Sequence, residues 1–197
     1  VVQGIKFLAP RNSVATTITF PLRAFSWLGI VPALFLGSYT GPLLSATNVP
    51  LWARNRLFMG LLFFSSALST GLAATHLAAG LFGSLPDSSK ERIKRAESLI
   101  IGVELATTAA SGLLLRGLAR PLLSGSLGWT FQLGAIGLGM LAPLSLSRLE
   151  RLPGVVGLLG PALTLIGGAI MRLTVHQAGK QSADDPHAYF EYTRSDR

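Results

Sequence analysis

Leu57-Phe58-Met59-Gly60-Leu61-Leu62-Phe63-Phe64-Ser65-Ser66-Ala67-Leu68-Ser69-Thr70-Gly71-Leu72-Ala73-Ala74-Thr75-His76-Leu77-Ala78-Ala79-Gly80-Leu81-Phe82-Gly83 is a run of 27 residues without one charged side chain. A helix needs roughly 20 predominantly apolar residues to cross the hydrocarbon core of a bilayer. Four further stretches approach or meet that length: about Ala24 to Thr47, Ser98 to Leu115, Ser126 to Ser147, and Gly154 to about Met171. The fourth stretch in chain order is also free of charge, and the third carries only Glu104. The predicted fold class is therefore all-α: a polytopic membrane helix bundle with about five transmembrane helices. Pro32, Gly37, Gly41 and Pro42 predict a bend or break in the first of them.

Composition agrees. Of 197 residues, 49% are hydrophobic and 13% charged, with mean hydropathy +0.50, whereas soluble domains carry roughly 25% charged residues. The absence of cysteine excludes a disulfide, a thiol nucleophile and a cysteine-held zinc or iron–sulfur cluster on this chain. With three histidines, no metal site is expected. The net charge of +8 reads as basic loops against anionic lipid, and no basic–aromatic tract suggests nucleic acid. The Lys/Arg residues divide nine to eight between the two sides, so orientation stays open. No leader with a cleavage site opens the chain at Val1.

Short connections predict an up-down bundle with consecutive antiparallel neighbours. Residues 1–23 are expected to form an N-terminal loop or interfacial segment, 24–179 the bundle, and 180–197 a polar tail. The link Leu85 to Glu97 is expected to hold a surface helical turn started by Pro86 and an Asp/Ser cap. Ala67 and Gly71, Gly102 with Ala106 and Ala110, and Gly160 with Thr164 and Gly168 are small residues spaced for close helix packing. Trp52, Trp129 and Tyr39 are expected as interfacial anchors.

An ionisable side chain inside a span costs roughly 2.5–3.5 kcal/mol on insertion scales and is usually functional. Glu104 is the clearest case. At 100° per residue, Thr108 and Ser111 share its face, with Thr107 at the margin; Ser65, Ser69 and His76 form a second stripe on the preceding helix. Counted from the expected helix ends, His76 and Glu104 lie about 10 and 9 Å deep on the same side. Side by side they could hydrogen-bond or pass a proton in the range where histidine switches. The plainer alternative is that Glu104 only fastens two helices together. Arg172 and His176, one turn apart, either snorkel to the headgroups or form a polar mouth for a ligand headgroup or partner subunit. No Walker A, Gly-x-Ser-x-Gly or His-Glu-x-x-His sequence occurs, so no catalytic residue is assigned.

Ser38-Tyr39-Thr40-Gly41-Pro42-Leu43-Leu44-Ser45-Ala46-Thr47-Asn48-Val49-Pro50-Leu51-Trp52 resembles the Tyr-Thr-Gly-x-Leu-Leu…Val-Pro-x-Trp run of the NrfD/polysulfide-reductase membrane-subunit family. Ser66-Ala67-Leu68-Ser69-Thr70-Gly71 and the Glu104-Leu105 pair are similar to later motifs of that family, as is the ending Gly168-Ala169-Ile170-Met171-Arg172…Ala178-Gly179-Lys180-Gln181. The resemblance implies an integral subunit of a bacterial inner-membrane respiratory oxidoreductase complex, not an enzyme alone. It implies quinone or quinol as the cofactor, with none covalently bound. The implied partners are a ferredoxin-like iron–sulfur subunit and a molybdopterin or haem subunit, with proton conduction in some complexes. On that reading Glu104, His76, Ser69, Thr108 and Ser111 belong to a proton path, and Arg172 and His176 contact quinone or partner. The family has eight to ten spans, so the chain corresponds to its C-terminal part, and no quinone ligand is carried over. A small transporter or channel, or a purely structural anchor, are the alternatives.

Overall fold

A computed structural model describes residues 15–82, 86–148, 157–186 and 190. The chain forms two compact units, one ending at Gly37 and one beginning at Ser38; every interaction discussed below lies in the second. Helices α1 (Ala15–Ser45), α2 (Pro50–Arg54), α3 (Arg56–Phe82) and α4 (Asp87–Leu115) follow in order. A 3₁₀ turn (Arg116–Ala119), α5 (Arg120–Leu123) and α6 (Gly125–Trp129) lead into a π-helical stretch, Thr130–Leu141. Then come α7 (Ala142–Arg148) and α8 (Leu159–Asp184). No strand occurs among the described residues. Among the described residues five helices are long and apolar enough to cross a bilayer, as composition predicted: Trp27–Ser45, Arg56–Phe82, Ser88–Leu115, Gly125–Arg148 and Leu159–Asp184.

Several boundaries differ from the sequence expectation, each for a physical reason. α1 is helical through Pro32 and Pro42, so the expected break is absent; membrane helices tolerate proline where neighbours and local adjustments satisfy the freed carbonyl. α4 begins at Asp87, not near Ser98. The charged residues 90–97 are its opening turns, closed onto Pro86 O by Ser89 N at 2.8 Å and braced by Arg95 Nε donating to Glu91 Oε1 at 3.1 Å. Hydropathy marks where a helix meets lipid, not where its backbone ladder starts. α8 likewise runs on to Asp184. The expected N-terminal segment up to residue 14, the loop over 149–156 and nearly all of the tail beyond 186 lie outside the described residues.

Packing is not strictly between consecutive spans. α3 packs along α4, but α8 packs along both α3 and the π-helical stretch, which makes the last helix the hub. Its contacts explain which small residues matter. A Cβ on Gly139 would sit 2.6 Å from Gly167 Cα, and one on Gly168 would sit 2.5 Å from Thr70 Cγ2. Gly179 is pressed against the Trp52 ring. By contrast Gly71, Gly102 and Gly160 have nothing within 4 Å of a would-be Cβ, so three of the glycines marked by spacing do not mediate the expected close approach. Where helices touch backbone to backbone, glycine is required; where they face open space, it is not. The π-helical stretch, far longer than the single turn usual for this geometry, coincides with Gly134, Gly137 and Gly139 at that crossing.

Gly167→Val should therefore overpack the crossing and lower stability by about 1–3 kcal/mol, read as a drop in thermal midpoint in detergent. Gly71→Ala should leave the midpoint nearly unchanged. Equal effects of the two substitutions would contradict the packing described.

Candidate functional site

The site grows from the antiparallel register of α3 and α4. Ser69 Oγ donates to Glu104 Oε2 at 2.7 Å. Seven residues further along α3 and seven back along α4, His76 Nδ1 meets Glu97 Oε2 at 3.3 Å. The two contacts are rungs of one ladder, spaced about two turns apart, or roughly 10 Å. His76 and Glu104, expected as partners, are thus one rung out of register, and no hydrogen bond or ion pair joins them among the described residues. The displacement follows from the boundary of α4: starting the helix at Asp87 puts Glu97 inside the bundle and Glu104 deeper.

Glu104 is buried, with 3% of its surface exposed. Besides Ser69 it feels the positive charge of Arg172 from α8. That guanidinium lies alongside Gly168, whose would-be Cβ is 3.7 Å from both Arg172 Nη1 and Ser66 Oγ. The Ser66 hydroxyl is likewise buried and lies beside the same carboxyl. Glu104, Ser69, Ser66 and Arg172 therefore gather from three helices. An acid beside two hydroxyls and within reach of a cation can hold a proton in a place where lipid supplies no alternative partner.

Glu97, read from sequence as part of a surface turn, is buried with 6% exposed. Thr164 Oγ1 of α8 approaches its other oxygen at 3.5 Å. A cavity of about 130 Å³ opens beside this rung, lined by His76, Lys94, Glu97, Ser98, Ile101 and Pro161 among others. Between the rungs, Ala73 and Ile101 are buried and apolar. The signal for Glu97 was present: it precedes Glu104 by seven residues and so shares its face.

Of the other expected residues, Thr108 Oγ1 turns back to Glu104 O at 2.8 Å, and Thr108 and Ser111 line a separate, apolar cavity. Ser65 bonds to Leu61 O and Leu62 O of its own helix. Arg172 and His176 point to different neighbours: His176 stacks on the Trp52 ring, centroids 5.7 Å apart at 19°. Trp52 is not an interfacial anchor. It is 6% exposed, and its Nε1 donates to Val175 O at 3.1 Å. Leu51 N adds a bond to Ser182 Oγ at 3.3 Å. The Val-Pro-Leu-Trp turn and the end of α8, far apart in sequence, are thereby fastened to each other. Trp129 and Tyr39 are exposed, as anchors are. No group of three or more potential metal ligands occurs among the described residues.

Comparison with known proteins places these features in a family. Residues 4–183 match the family described as polysulphide reductase, NrfD. Protein NrfD of Escherichia coli (strain K12) is 30% identical over 183 residues, covering 86% of this chain and 57% of the relative. The chain thus spans a little over half the length of that relative. No solved structure matches it. A match over nearly the whole chain, in a protein with five apolar helices among the described residues, shows that this protein belongs to the NrfD family of membrane subunits.

Proposed function

We propose that this chain is the membrane-embedded subunit of a respiratory oxidoreductase complex in a bacterial inner membrane, linked to the quinone/quinol pool, and that its α3–α4 ladder moves protons. The proposed partners are a ferredoxin-like iron–sulfur subunit and a molybdopterin- or haem-bearing subunit, which would carry the metal redox centres that a chain without cysteine does not ligate. The observation that carries the reading is the buried Glu104, bonded to Ser69 and within range of the Arg172 charge. An acid at that depth is expensive to keep unless it works.

Glu97 and His76, beside their cavity, are suited to take a proton from or release it to the membrane surface. Glu104 is suited to hold it deeper, with Ser69 orienting the receiving oxygen. Arg172 balances charge when Glu104 is ionised. A bound quinone would supply a two-electron, two-proton couple, and the chain's own residues would supply the route for those protons. His176, stacked on Trp52, fits a positioning role better than a direct ligand role, whereas Arg172 remains the proposed contact near the acid. A structural anchor needs the same Ser69–Glu104 bond but not the ionisable proton, and a channel would conduct without partners.

Glu104→Gln keeps an oxygen for Ser69 while removing the titratable proton. Proton uptake coupled to quinol turnover in the purified complex should fall roughly 10–100-fold, with the thermal midpoint preserved. Unchanged coupling would leave only the anchor reading. Ser69→Ala, which strips the buried carboxyl of its partner, should instead cost about 1–3 kcal/mol of stability, measurable by thermal unfolding in detergent.

A further inference from the structure

A second cavity, of about 380 Å³, lies apart from the Glu97 cavity and is lined by residues of α2, α3, α4, the π-helical stretch and α8. Its volume falls in the range of ligand-binding pockets, roughly 300–1,000 Å³. The walls are almost wholly apolar, including Leu62, Leu115, Phe131 and Val175, and no ionisable side chain lines it. Two polar residues on its wall stand out. Asn55 and Ser111 are 3% and 5% exposed, and Asn55 Oδ1 and Ser111 Oγ make no hydrogen bond.

Buried polar atoms are ordinarily paired, and lipid offers them nothing. Asn55 occupies its place for a backbone reason, since its carbonyl accepts from Phe58 N at 3.0 Å and Met59 N at 2.9 Å to open α3. That role uses the main chain and leaves the amide side chain to the cavity. Ser111 had an alternative that its neighbours take: Thr107 and Thr108 bond back to the carbonyls of Val103 and Glu104, whereas Ser111 does not. Asn55 Oδ1 calls for a donor, and a serine hydroxyl can give or accept.

We infer that this cavity binds a neutral, apolar molecule bearing a hydroxyl group, which donates to Asn55 and pairs with Ser111 while its apolar body fills the space among Leu62, Phe131 and Val175. The absence of an ionisable side chain from the lining selects against a charged headgroup. Two sources share the required chemistry: a reduced quinol and a diacylglycerol. If the occupant is a quinol, the site deepens the proposed function. It also places the ligand on the face of α4 that carries Glu104, one turn before Thr108. The site stands independently of the proton ladder, because its evidence and its test are binding, not turnover.

The test is retention of ligand by the complex purified in mild detergent and equilibrated in turn with a naphthoquinol, the corresponding naphthoquinone and dioleoylglycerol, with bound ligand measured by native mass spectrometry. A hydroxyl-bearing ligand should be retained, and the naphthoquinone, which cannot donate to Asn55, should bind roughly 3–10-fold more weakly than its quinol. Ser111→Ala should weaken retention by a similar factor. Gly112→Leu, at a lining position where a Cβ meets nothing within 4 Å, should fill the cavity and abolish retention without unfolding the chain. Retention of the naphthoquinol identifies the source as quinol, and retention of dioleoylglycerol alone identifies it as lipid. Retention of neither, or retention untouched by both substitutions, overturns the inference. Glu104→Gln serves as the separating control: it should leave retention unchanged even where it abolishes proton uptake, and a failure of the proton reading would not alter the binding result.

Discussion

The hydrogen bond from Ser69 to Glu104 joins α3 to α4 at a depth where water does not compete for either partner, and much else in the bundle follows from it. A carboxyl in hydrocarbon must find its donors in protein, so the two helices are fixed in one register. A slip of one turn toward the C-terminal end of α3 would leave Glu104 against Leu72 and Ala73. The same register brings His76 to Glu97 seven residues away on each helix. It also sets the face of α4 that α8 must meet, since Arg172 comes to Glu104 and Thr164 to Glu97 from the same helix. One polar contact thereby orders three spans.

Close approach by α8 is what permits this, and glycine is what permits the approach. Gly167 meets Gly139, Gly168 meets Thr70, and Gly179 meets Trp52, so α8 is seated on three different elements. Between helices in lipid there is no hydrophobic driving force, and association rests on van der Waals contact and interhelical hydrogen bonds. The Trp52 Nε1 bond to Val175 O and the Leu51 N bond to Ser182 Oγ supply the second kind at the end of α8 nearest the α2 turn. Two motifs separated by most of the chain thus form one structural joint.

Sequence alone made the class of fold readable, because a 27-residue uncharged run admits few other solutions. It also marked Glu104, Ser69, Ser111 and Arg172, since polar groups in apolar surroundings stand out. What it missed were consequences of helix ends. Hydropathy placed the start of α4 near Ser98, and counting depth from there paired His76 with Glu104. The backbone begins at Asp87, and the true partner is Glu97, in a segment whose charges read as a surface helical turn outside the span. Asn55 and Ser66 escaped notice for a different reason. An Asn in a turn and a Ser in a small-residue helix are ordinary until the bundle encloses them, and burial is a property of the assembled bundle.

The two rungs bear differently on proton movement. Glu97 and His76 border a cavity, whereas Glu104 is enclosed by Ser69, Ser66 and the charge of Arg172. Roughly 10 Å of helix separates them, occupied by Ala73 and Ile101, both buried and unable to carry a proton. A rigid bundle would therefore hold two isolated acids. Transfer between them requires water to enter beside Ile101, which already borders the cavity, or a turn of the Glu104 side chain away from Ser69. Either event replaces satisfied hydrogen bonds with exposed ones in an apolar setting and so carries a barrier. On the proposed proton route such an arrangement would resist passive leakage, the intervening apolar layer opening only when the charge balance at one end changes. Arg172 is the group placed to report such a change, since it shares α8 with the Thr164 contact to the first rung and faces the acid of the second.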